Sequence, residues 1–372
     1  MSRVESAFRS FAGREPEGVW WAPGRVNLIG EHTDYNDGFV LPFALTLGTS
    51  AAVARRDDGR LRCLSLQEGA APEDATVEGW PAYVHGVVWA LREAGVAIEG
   101  ADVVVDTTLP RESGLSSSAA LECSVGLALA ELHGARLDRI AVARAAQRAE
   151  NEVVGVPSGL MDQLASLLGR RGHALFVDMR SLAVEHVPLE PDAAGLALVV
   201  VDTRAPRRLV SGAYAERRAA CEAAARALGV ASLRDASPEG VEEARERLGD
   251  VLHRRARHVV TENARVLKAV ATLRANELAR LGPLLDASHR SLRDDFEVSS
   301  PELDAATGAA VEAGALGARM TGAGFGGCAL ALAPVAAVDE VVAHVRRRFD
   351  EGGFGDPDVF PVAPAEGAGR VA

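Results

Sequence analysis

The apolar positions change period several times along the chain. Between residues 101 and 109, Val103 and Val105 alternate with Asp102 and Asp106, which predicts a strand with one face in the core and one outside. Residues 39–55 are rich in β-branched and apolar side chains and also read as a strand. From 116 to 133 the apolar residues Leu121, Val125, Leu127, Leu129 and Leu132 cover most of a helix circumference, so this helix is expected to be buried, with Gly134 stopping it. A second helix over 137–153 ends at Gly155 and Pro157, and Ser158 stands where it would cap a third over 159–168. Strands are expected at His173–Asp178, Ala183–Pro188 and Leu196–Asp202, followed by a mostly helical stretch from 210 to about 314. Two strands, 317–320 and 328–333, flank a glycine loop, and a helix over 338–349 precedes a last strand, Asp358–Val362. At the start, residues 1–17 read as a short polar helix and turn, and 18–21 as a brief strand that runs into a turn at Pro23-Gly24.

Strands and helices mix here without regular βαβ alternation, which predicts an α+β fold. The 372 residues are long for one core, so two lobes are expected, divided into 1–190 and 191–372. The net charge of −12 offers no footprint for nucleic acid or for an anionic membrane surface. A phosphate ligand would need local groups to hold it. Lysine occurs once, at Lys268, in a helical stretch with no glycine loop before it. Mechanisms built on a Walker-type, protein-kinase or Schiff-base lysine are therefore disfavoured. The four cysteines (63, 123, 221 and 328) lie far apart with no C-x-x-C spacing, which argues against a zinc site or a disulfide framework. The first residues carry no apolar signal core and no 18-residue apolar run occurs, so a reducing cytoplasm is the expected compartment. No feature argues for a dimer, and a monomer is expected.

Three segments carry chemistry. Residues 22–35 pack Arg25, Asn27, Glu31, His32 and Asp34 beside Gly24 and Gly30. A lone His-x-Asp would read as a solvated turn. This density of donors and acceptors, anchored by Val26, Leu28 and Ile29, instead suits a polyol whose neighbouring hydroxyls are held in pairs. Residues 109–119 follow a strand and open the buried helix with Ser113-Gly-Leu-Ser-Ser-Ser118. One serine there is an ordinary cap, but three behind a glycine suggest a phosphate site built on free amides and the helix dipole. Residues 317–327 hold four glycines within six positions, Gly322 to Gly327, which lets backbone approach a ligand closely.

Together these segments resemble the three signature motifs of the GHMP small-molecule kinases. The first, Gly24-Arg-Val-Asn-Leu-Ile-Gly-Glu-His-Thr-Asp-Tyr35, is similar to the galactokinase signature itself. The likeness runs from about residue 18 to 362. It implies a two-lobed fold: an N-terminal lobe like domain 2 of ribosomal protein S5, a ferredoxin-like C-terminal lobe, and a cleft between them. It implies ATP-dependent phosphorylation of galactose at its anomeric hydroxyl, with Mg²⁺ as cofactor. The pattern Ser158-Gly-Leu-Met-Asp-Gln163 implies Asp162 as catalytic base and Gly159 against the sugar. The resemblance further implies Arg25 as transition-state stabiliser, with Glu31, His32, Thr33, Asp34 and Tyr214 at the sugar. It implies Glu112, Ser113, Gly114, Leu115, Ser116, Ser117 and Ser118 at the nucleotide phosphates, and Ser118 with Glu150 as magnesium ligands.

The chain departs from the family at two places: Glu112 and Ala323 replace usual glycines. A carboxylate beside the phosphates would repel them unless its side chain points to solvent. Rival readings are a kinase for a related sugar, such as N-acetylgalactosamine or arabinose, and a sugar sensor that has lost catalysis. The intact Arg25, Asp162 and serine run favour an enzyme.

Overall fold

The computed structural model describes residues 2–70, 78–110, 113–205 and 210–372. Glu112, with its expected place at the phosphates, lies outside the described residues. The α+β expectation holds. Among the described residues one sheet has the spatial order Gly369–Arg370, Gly18–Asn27, Pro42–Arg56, Gly100–Thr107, Leu61–Ser65, Gly69–Ala70. Its neighbours are antiparallel except for the parallel pair Leu61–Ser65 and Gly100–Thr107. The C-terminal residues thus return to the first strand, with Arg370 opposite Trp20.

Helices Pro81–Glu93, Ser117–Leu132 and Arg139–Arg148 cover one face of this sheet and bury Trp20, Val53, Val103 and Val105. Ser117–Leu132 is enclosed nearly all round, as its apolar circumference predicts. Helix Arg3–Ala12 covers the other face with Val4 and Phe8. The strand Gly100–Thr107 is consequently buried on both faces over most of its length, not half-exposed as its alternation suggests. Asp102 is fully buried and accepts two bonds from Arg56 at 3.0 Å and one from Arg14 at 3.0 Å, so paired guanidiniums let a carboxylate sit where an apolar residue would.

A second sheet runs Gly317–Thr321, Cys328–Pro334, Leu196–Asp202, Asp358–Val362, all antiparallel. Phe39–Val40, His173–Asp178 and Ala183–Pro188 form a third. One apolar cluster joins Leu28, Ile29 and Phe43 to Leu198, Leu330 and Val266, which fixes the first motif against the C-terminal half. Among the described residues no helix is long and apolar enough to cross a membrane.

The strand Gly18–Asn27 passes straight through Pro23-Gly24, where a turn was expected. The sheet register shifts between Pro23 and Arg25. A Cβ on Gly24 would lie 2.4 Å from the Leu115 carbonyl, and the Arg25 N–H donates to that carbonyl at 3.1 Å. The Pro-Gly pair therefore makes a bulge that presses the strand onto the serine-rich turn.

Candidate active site

Arg25 projects from the bulge at 6% side-chain exposure, and Asp162 stands in the first turn of helix Met161–Leu168. Nε of Arg25 donates to Asp162 Oδ1 at 2.8 Å and Nη2 to Oδ2 at 2.9 Å, a planar two-point pair. Nη1 donates to the Gly114 carbonyl, so one guanidinium ties the carboxylate to the serine-rich turn. The Ser116 hydroxyl donates to Oδ2 of Asp162. Ser116 itself has φ 60° and ψ 51°, the left-handed region, and no side chain caps the helix it precedes. Its hydroxyl is turned toward Asp162, which leaves the first-turn amides for a ligand. Ser158 does not cap Met161–Leu168 as expected; its hydroxyl donates to Glu150 and Asn151 instead.

These groups line a cavity of about 330 Å³ with Glu31, His32, Asp34, Gly159 and Tyr214, so residues far apart in sequence meet at one place. Gly159 is required there, since a Cβ would lie 1.7 Å from Oδ2 of Asp34. Burial, and then the charge of Asp162, push the Asp34 carboxyl up to about 6. Burial drives His32 down to about 3, so its ring is neutral. Nε2 lies 3.2 Å from the Ala323 carbonyl and must donate, which leaves Nδ1 to accept from the Tyr35 hydroxyl at 2.9 Å. The His32 and Tyr214 rings pack with centroids 5.6 Å apart.

Two expected sugar contacts are held differently. Thr33 is fully buried, and its hydroxyl donates to the Gly30 and Phe39 carbonyls behind the loop. Glu31 reaches the cavity wall, but its carboxylate already accepts from Asn27, Arg319, Thr321 and the Gly322 N–H. Burial raises its carboxyl against the pull of Arg319. Glu31 thus joins the first motif to the third.

Glu150 lies on the π-helical turn Ala149–Val154 that ends its helix, a distortion common at functional positions. Its Oε1 accepts from Ser118 at 2.9 Å; Oε2 accepts from Ser158 at 2.6 Å and from the Gln163 amide at 3.0 Å. No cation bonds this carboxylate among the described residues, and burial raises it. A buried carboxylate answered only by neutral donors, beside a serine hydroxyl, suits a hard dication shared with phosphate oxygens. Among the described residues no group of three or more His, Cys, Asp or Glu forms a cage for a metal. Ser113 and Leu115 are buried beneath the turn and can offer backbone alone, whereas Ser117 and Ser118 also face a second cavity of about 630 Å³.

That second cavity is walled by Trp80, Tyr83, Leu109 and Leu121, and the sequence reading missed it. The signal was Trp80-Pro-Ala-Tyr83, two aromatics on adjoining positions of a helix start. Arg319 was missed as well. It is fully buried and donates to the Asn27 and Leu28 carbonyls, to Ser288 and to Glu31, and an arginine in an otherwise apolar strand is the sign that could have found it.

Residues 6–55 match the galactokinase galactose-binding signature, 82–170 the GHMP kinase N-terminal domain and 269–351 the GHMP kinase C-terminal domain. The chain is 50% identical to a galactokinase of Streptomyces coelicolor over 99% of this chain and 98% of that protein. It is 45% identical to one of Mycobacterium tuberculosis over 93% and 97%. The crystal structure of Lactococcus lactis galactokinase complexed with galactose superposes with a TM-score of 0.93 at 35% identity, over 99% of both chains. A homoserine kinase of Cytophaga hutchinsonii shares the fold alone, with a TM-score of 0.64 at 18% identity over 95% and 97%.

Proposed function

The chain belongs to the galactokinase family, and on that premise we propose that it transfers the γ-phosphoryl of ATP to the C1 hydroxyl of D-galactose, giving galactose 1-phosphate and ADP. One observation carries this reading: the Arg25–Asp162 pair, with Ser116 bonded to it, opens into the same cavity as Asp34, His32, Gly159 and Tyr214. Phosphoryl transfer asks for alignment and charge neutralisation more than covalent help.

Asp34 accepts from sugar hydroxyls, Glu31 lines the cavity edge with its oxygens held by the third motif, and Tyr214 packs on the ring. Asp162 takes the proton of the C1 hydroxyl. That proton leaves late in a loose transition state, so a carboxylate held by Arg25 serves. Arg25 stabilises the charge on the transferring group through a fork that already spans Asp162 and the turn. The amides of 114–118 cradle the phosphates, and the base stacks in the cavity beside Trp80 and Tyr83. Ser118 and Glu150 would hold Mg²⁺, which when bound neutralises charge on the phosphate oxygens.

ADP formation with Mg-ATP across a panel of sugars, with the product examined by ³¹P NMR, tests the reading. Galactose should be preferred and phosphorylated at C1. A higher rate with N-acetylgalactosamine or arabinose would overturn the substrate, and no turnover with any sugar would make the chain a sensor.

A further inference from the structure

We infer that Glu122 is a positioning residue for the metal-binding carboxylate: it holds the Gln163 amide so that Gln163 in turn orients Glu150. This rests on the assignment of Glu150 as a magnesium ligand.

Glu122 stands one turn beyond Ser118 on helix Ser117–Leu132 and is fully buried. Its Oε2 accepts from Gln163 Nε2 at 3.2 Å, and the same nitrogen donates to Glu150 Oε2 at 3.0 Å. An amide nitrogen carries two hydrogens, so both are used, one on each carboxyl group. With the amide turned over, its oxygen would face both groups and the two bonds would be lost. Glu122 therefore fixes which end of Gln163 meets Glu150, and Gln163 follows Asp162 directly in the chain. Neither Glu122 nor Gln163 lines the two cavities, so neither is within reach of a substrate.

The other oxygen of Glu122 finds no hydrogen-bond partner among the described residues. Its Oε2, bonded to the Gln163 amide, is the oxygen that serves the site. Its use to the site is thus geometric. A neutral acceptor of the same shape should replace it, and an apolar side chain of similar length should not.

Four variants test this: Glu122→Met, Glu122→Gln, Gln163→Met and, as control, Glu150→Gln. Mn²⁺ binding is followed by EPR in the presence of a non-hydrolysable ATP analogue, beside the Mg²⁺ concentration for half-maximal rate. Glu122→Met and Gln163→Met should each weaken Mn²⁺ about tenfold and raise the Mg²⁺ requirement in step, with the KM for galactose nearly unchanged. Glu122→Gln should stay within about twofold of the parent, since its amide oxygen still accepts. Parental Mn²⁺ affinity in Glu122→Met, or an equal loss in Glu122→Gln, overturns the inference. Should Glu122→Met fail to fold, parental affinity in Gln163→Met overturns it instead. Parental affinity in Glu150→Gln is a separate failure, that of the ligand assignment.

Discussion

Asp34 occupies the space that a side chain at Gly159 would need, with its Oδ2 1.7 Å from the site of a Cβ there. The carboxylate can stand over the cavity because position 159 carries no side chain. In Gly159→Ala the Asp34 side chain must rotate away, since it is the movable partner. The KM for galactose should rise about tenfold or more, the size of one lost charge-assisted hydrogen bond, while the KM for ATP and the melting temperature change little. Steady-state kinetics with each substrate varied in turn checks this.

Asp34 also sets a pH dependence. Its carboxyl is raised to about 6 by burial and by Asp162, so below that pH it holds a proton and loses capacity to accept from sugar hydroxyls. The ionised form binds, so affinity is present above pH 6 and lost as pH falls through it. The kcat/KM for galactose, which reports the free enzyme, should drop about tenfold per unit below pH 6. The residual activity of Asp34→Asn should lack this step. A wild-type profile that stays flat down to pH 5 would remove Asp34 from the sugar site.

Arg25 uses three nitrogens at once, on both oxygens of Asp162 and on the Gly114 carbonyl. A lysine offers one ammonium and cannot span that fan. Arg25→Lys should lower kcat by about 100-fold or more with the fold intact, a loss of the size seen when one preorganised donor is removed. Activity within a few-fold of the parent would show that the fork is dispensable.

Arg319 and Glu31 form a buried ion pair that joins the first motif to the third. Removing one partner strands the other charge in the core. Arg319→Met should cost about 3–5 kcal/mol in urea unfolding, far beyond a surface substitution. A loss below about 1 kcal/mol would mean that hydrogen bonds from Asn27, Thr321 and the Gly322 N–H suffice to hold Glu31 without Arg319.

Much of this was legible in the chain. The strands His173–Asp178, Ala183–Pro188, Leu196–Asp202 and Asp358–Val362 were expected with the bounds they have, because turn residues punctuate them. Arg25, Asp34 and Ser116 were legible because polar density on glycine-bent loops is costly unless a ligand uses it. What stayed hidden depends on partners distant in sequence. Pro23-Gly24 reads as a turn until Leu115 presses against it. Asp102 reads as exposed until Arg14 and Arg56 close over it. Glu122 has the look of a surface helix residue, and only Gln163, 41 positions on, gives it a role.

The most direct test concerns the proton acceptor. Galactose-dependent ADP formation by Asp162→Ala should fall by about 10³-fold, with galactose and an ATP analogue still binding within a few-fold by calorimetry. Turnover within about tenfold of wild type would contradict the assignment of Asp162 as the base that the Arg25 fork holds ready for the sugar.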